Sequence, residues 1–148
     1  PIERKAEHDI RIDLPVEARL PDEYVADADG RLEGYRRLAA ASTADEVEDV
    51  IAEWEDRYGP LPPEAEELIA VALLRVEALR IGLDELVQAR GEIRISPVDL
   101  RPSQEVRLER IQRGAVLRGE KLFIPAPKSD VAKALHTFLQ AMWPETTG

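Results

Sequence analysis

The chain has no cysteine, which rules out disulfides and thiolate chemistry and is compatible with a reducing cytoplasm. Histidine is nearly absent: His8 and His136 stand far apart, and neither lies at a metal-ligand spacing from another histidine. No run of about 18 apolar residues is available to span a membrane, and the first residues carry no apolar signal core. There is no Gly-x-Ser-x-Gly elbow and no glycine-rich loop that would cradle phosphate. Lysine occurs at four positions, and 30 Asp and Glu outnumber all basic residues to leave a formal charge of −10. A free-standing nucleic-acid binder needs a basic footprint, and this balance is the opposite. It suits a basic protein surface instead.

Composition is 44% hydrophobic and 34% charged over 148 residues, which is globular. A chain of this length buries roughly 68–70% of its unfolded surface, enough for one domain with a real core. It begins at Pro1 instead of methionine, which points to a fragment of a longer chain. Residues 1–8 show no period and read as linker or frayed terminus, leaving 9–144 as a single domain.

Ile10, Ile12 and Leu14 alternate with Arg11 and Asp13, a half-buried strand stopped by Pro15. Residues 16–25 read as extended. From Asp27 to Ala41 a helix carries Leu32, Tyr35, Leu38 and Ala39 as its apolar positions, weakened at Gly34 by ~1 kcal/mol relative to alanine. Thr43 with Glu46 makes a capping box for a helix from Ala44 to Tyr58. Gly59 suits its left-handed end and Pro60 cannot continue it. Pro63 then opens a second helix to Ile81, apolar almost all round. Two helices linked this closely form a hairpin, spanning about 43–82.

The second half changes texture. Glu85–Val87 and Glu92–Ile95 read as strands about a turn at Arg90-Gly91, and Val116-Leu117 with Leu122–Ile124 as a hairpin about Gly119. Ser103 is the expected cap of a helix to about Ile111, closed by Gly114. Ser129 is the expected cap of a final helix through Met142. The fold class is therefore α+β: a helical first half, a strand-containing second half closed by a C-terminal helix, and one shared core.

The functional reading starts on the 44–58 helix. Val47, Val50, Ile51, Trp54 and Tyr58 form its apolar stripe, and beside that stripe lie Glu46, Asp49, Glu53, Asp56 and Arg57. This is an acidic strip with a single arginine, free to meet a partner, and its carboxylates suit guanidinium groups. A basic cluster also exists at Arg101, Arg107, Arg110, Arg113 and Arg118. Arg107, Arg110 and Arg113 fall three apart and drift around the 103–113 helix, with Glu105 and Glu109 interleaved. The cluster supports an alternative reading as a small nucleic-acid-binding or adaptor module. For catalysis nothing is found: Ser129-Asp130 with His136 is better explained by a cap than by a triad.

Several signatures occur together and in order: Ile12-Asp13-Leu14, Leu20-Pro21 with Tyr24-Val25, Arg31-Leu32 with Tyr35-Arg36-Arg37-Leu38-Ala39, and Asp56-Arg57-Tyr58-Gly59-Pro60-Leu61-Pro62. Across about residues 10–87 the sequence resembles the C-terminal (TRCF) domain of the bacterial transcription-repair coupling factors. The resemblance implies a cytoplasmic, non-catalytic regulatory domain within an ATP-dependent DNA translocase, with no cofactor or metal of its own. In that family the domain folds back on an N-terminal UvrB-like module of the same protein and masks the surface that binds UvrA. It thereby restrains the motor until RNA polymerase is engaged. The resemblance places the contact on Glu53, Asp56 and Arg57. UvrA and RNA polymerase are then indirect partners, with no direct nucleic-acid contact and no membrane.

Overall fold

Capping chemistry fixes the first helices in the computed structural model, which describes residues 9–145. The N-terminal stretch 1–8, with its expected linker and His8, lies outside the described residues. An Asp27 carboxylate oxygen accepts from the Gly30 amide at 3.0 Å and opens α1 (Ala28–Ala40). The Thr43 hydroxyl accepts from the Glu46 amide at 3.1 Å and opens α2 (Ala44–Tyr58). The reciprocal arm of that box is displaced by one residue, because the Glu46 carboxylate accepts from the Ser42 amide at 2.7 Å. Gly59, at φ 93°, ends α2, and α3 (Pro63–Ile81) starts with proline at its first position.

Side chains pack in two compact units, one of residues 16–76 and one that includes 9–15 and 77–145. In the first, α2 buries Val47, Val50 and Trp54, the stripe expected from periodicity. They gather with Leu20, Val25, Leu38, Ala65 and Ile69. Fully burying side chains of this kind is worth about 1.5–3 kcal/mol each. The inward face of α1 differs from the expected one. Leu32 and Tyr35 are exposed, and Gly34 and Leu38 are buried. The reason is Gly34: the backbone there approaches Leu20 and the Trp54 ring so closely that even a methyl group would press on both. Tyr35 still serves the fold, its hydroxyl accepting from the Leu20 amide at 2.8 Å. Residues 16–20 carry no regular element, and the chain turns at Pro21, whose carbonyl accepts from the amides of Tyr24 and Val25.

The second unit is a sheet with two helices. Its strands are β1 (Arg11–Asp13), β2 (Glu85–Ala89), β3 (Glu92–Ser96), β4 (Val116–Arg118) and β5 (Lys121–Pro125), in the order β1-β2-β3-β5-β4. β1 pairs in parallel with β2, and all other neighbours are antiparallel. The β2–β3 turn places both Arg90 (φ 57°) and Gly91 (φ 78°) in the left-handed region, as the two-residue hairpin turn of matching twist requires. Register aligns Leu86, Ile95 and Leu122, and likewise Ile93 with Ile124, so one face of the sheet is continuous and buried. Leu135, Leu139 and Met142 of α5 (Val131–Met142) are fully buried as well.

Two expected caps are corrected. α4 runs from Pro102 to Ile111, so Arg101 is its N-cap and Ser103 lies inside the first turn. Proline's fixed φ and missing N–H take the first helical position and move the start forward. At α5 the N-cap is Asp130, left-handed at φ 48°, and Ser129 is one residue too early. The described residues thus hold five helices and a five-stranded sheet, an α+β fold.

Candidate binding surface on the second helix

Each member of the acidic strip meets a different fate. Glu46 is occupied by capping, its carboxylate bonded to the Ser42 amide and lying 3.3 Å from the Ser42 hydroxyl. Glu53 sits half-buried between two guanidiniums: one carboxylate oxygen pairs with Arg37 of α1, and the other lies 3.6 Å from Arg57. Arg57 also places its guanidinium 5.3 Å from the centre of the Tyr58 ring, a cation–π arrangement. Asp49 and Asp56 are exposed, and their side chains make no hydrogen bond or ion pair among the described residues. They are seven residues apart, which on an α-helix is two turns and about 10 Å. The strip is therefore two open carboxylates flanking a third that is already bound to arginine.

The helix end is held by Tyr24, whose hydroxyl donates to the Gly59 carbonyl at 2.7 Å while its ring stands 5.5 Å from that of Tyr58. Burial, followed by the charge of Glu55 and the neighbouring Tyr58, raises the Tyr24 phenol above its ordinary value. An Arg75 guanidinium donates to the Ala39 carbonyl at the end of α1. The sequence gives Arg37, Tyr24 and Gly34 no role at this surface. Arg37 meets Glu53 across two helices, and no local spacing announces such a pair.

The arginine cluster is dispersed. Arg107 turns inward and donates to the Met142 carbonyl at 2.7 Å, and Arg118 lies 5.5 Å over the Phe123 ring. Arg110 and Arg113 are exposed. His136 is half-buried on α5, and Ser129 is exposed. Among the described residues no group of three or more His, Cys, Asp or Glu is placed to hold a metal ion, and no helix is long and apolar enough to cross a membrane.

A family model described as the TRCF domain matches residues 14–110, the whole of α1 to α3 included. The chain belongs to the TRCF domain family. Curated relatives agree with that membership. A transcription-repair-coupling factor of Mycobacterium tuberculosis is 47% identical over 120 residues, covering 80% of this chain and 10% of the relative. Those of Myxococcus xanthus and Escherichia coli are 39% identical over 87 residues and 37% over 75. They are covered to 7% and 6% of their lengths, so this TRCF domain spans about a tenth or less of the curated relatives it matches. A crystal structure of the C-terminal domain of a transcription-repair coupling factor superposes with a TM-score of 0.78 at 16% identity, over 90% of this chain and 91% of that one. The fold is the same.

Proposed function

We propose that this TRCF domain is a non-catalytic regulatory module of a cytoplasmic transcription-repair coupling factor. It docks through Asp49, Glu53 and Asp56 of α2 on an N-terminal UvrB-like module of the same protein. Docking masks the surface that binds UvrA and restrains the ATP-dependent DNA translocase until RNA polymerase is engaged. The observation that carries the reading is the pair of open carboxylates two turns apart on a helix whose middle carboxylate already binds guanidinium. Such a row fits a partner presenting arginines at about 10 Å intervals. It is polar enough to release, because exposed ion pairs weaken with salt.

On α4 the Arg107 guanidinium is tied to the Met142 carbonyl, so within the helix Arg110 is left as the exposed arginine, which favours the protein partner over nucleic acid. The test is calorimetric titration of the chain against the separately expressed UvrB-like module at low and high salt. Binding that weakens with salt and is lost in the Glu53→Ala/Asp56→Ala variant supports the reading; truncating one desolvated charge partner costs ~2–5 kcal/mol. In the intact factor the same variant should raise basal ATPase and UvrA binding. If neither changes, and the chain instead binds DNA with a steep salt dependence, the domain works through its arginines.

A further inference from the structure

Away from α2, the unit containing the sheet holds a cavity of about 720 Å³, within the ~300–1,000 Å³ typical of ligand sites. Its walls come from the end of α3, the 97–101 segment, α4, and the C-terminal end of α5. Three arginines line it, and they are not equivalent. Arg80 is committed: it bonds the buried Glu77 carboxylate at 2.6 Å, donates to the Trp143 carbonyl at 2.5 Å and lies 3.8 Å from Glu145. Arg107 uses one nitrogen on the Met142 carbonyl. The Arg101 side chain has no hydrogen bond or ion pair to another described residue.

Gln104 stands between them on the same wall. It is 8% exposed, and its Oε1 accepts from the Arg101 amide at 2.9 Å. Its Nε2 has no partner among the described residues. That nitrogen is open to solvent and stands beside one free and one half-used guanidinium, a set of donors on one wall that suits an acceptor from outside the chain. Two features narrow that acceptor. Asp99 and Glu120 also line the cavity without ion pairs among the described residues, and they oppose a multiply charged anion. The rest of the lining is largely apolar, with Ile81 partly exposed and Trp143 half-exposed where it packs edge-on to Phe138 at 6.5 Å.

We propose that this cavity binds a monocarboxylate carried on an apolar or aromatic group. Arg101 forms the ion pair, Gln104 Nε2 and the unused N–H groups of Arg107 complete the set of donors, and the apolar group lies against Ile81 and Trp143. A free small acid and the C-terminal carboxylate of a peptide ending in an apolar residue share this chemistry.

The experiment is an NMR titration of the chain that follows the Gln104 side-chain amide and the Trp143 indole N–H. The probes are 3-phenylpropionate, 3-phenylpropanol, inorganic phosphate and the peptide acetyl-Ala-Ala-Ala-Phe. The expected result is saturable shifts of both signals by 3-phenylpropionate with Kd on the order of millimolar. The alcohol and Arg101→Gln should each weaken binding about tenfold, the loss of one charge-assisted pair, and phosphate should not saturate. Tighter binding of the peptide identifies a chain end as the source, and weaker binding a small acid. Arg101 caps α4 through its backbone, so its replacement leaves the fold in place. Equal binding of the alcohol, equal binding by Arg101→Gln, saturation by phosphate, or no shift at Gln104 each overturns the proposal.

Discussion

A methyl group added at Gly34 would lie 3.0 Å from Leu20 Cδ1 and 3.3 Å from Cζ2 of Trp54. Both neighbours are buried, so neither can move aside freely. Gly34→Ala gains about 1 kcal/mol of helix propensity against an overpacking cost of about 1–3 kcal/mol. The expected outcome is a net loss of about 1 kcal/mol, read as a lower urea midpoint. Tyr24→Phe removes the bond to the Gly59 carbonyl and should cost about 1 kcal/mol at neutral pH. Its alkaline behaviour is signed too. The Tyr24 phenol is raised in the folded chain, so its contribution is full below the ordinary tyrosine value and lost as pH rises through the folded one. The variant should lack that alkaline decline in an unfolding series. Gly34 also shows where sequence reading stops. A residue without a side chain adds nothing to an apolar stripe, so Leu32 and Tyr35 took the inward face on paper and the glycine took it in the fold.

Between elements, the pairing of Arg37 with Glu53 ties α1 to the candidate surface and competes with any partner for the middle carboxylate. If α2 docks on a basic surface, Arg37→Ala frees Glu53 and should tighten binding by about two- to fivefold, the range of a half-exposed ion pair. Titration of the variant against the UvrB-like module measures this, and an unchanged or weaker affinity with docking intact removes the competition. In the sheet, the Arg94 guanidinium on Glu85 at 3.1 Å, helped by the Ser96 hydroxyl at 2.9 Å, lowers the Glu85 carboxyl despite its partial burial. Its stabilisation is full above the ordinary value of 4.5 and is lost as pH falls through the depressed folded value. Glu85→Gln should flatten the acid limb of a stability–pH curve. Elements bounded by local chemistry were legible from residues alone: Thr43, Gly59 and Pro63 give the limits of α2 and the start of α3. The caps of α4 and α5 were not, because Pro102 and a left-handed Asp130 outrank a nearby serine. The acidic strip was legible as a strip, but which carboxylates remain open depends on the one-residue shift of the cap to Ser42 and on Arg37, which only the packing of α1 on α2 brings to Glu53.

At the scale of the molecule, Trp54 is the centrepiece of the unit of residues 16–76, at 4% exposed. Trp54→Ala should cost about 3–5 kcal/mol and strip amide-exchange protection from α1 and α2 together. A variant that loses only binding would contradict this. The other unit has a different weak point. β1 is three residues long, at a sheet edge, and pairs in parallel with β2 from Arg11 opposite Glu85 to Asp13 opposite Val87. Everything from 16 to 76 lies in the loop that this pairing closes. The β2–β3 and β4–β5 hairpins need no such closure and can form within microseconds. Closing the long loop spends chain entropy before its few hydrogen bonds exist. Assembly thus has an order in time, with hairpins early and the far-travelled strand late. In pulse-labelled refolding the Arg11 amide, which donates to the Asp84 carbonyl at 2.9 Å, should be among the late ones in the sheet to become protected.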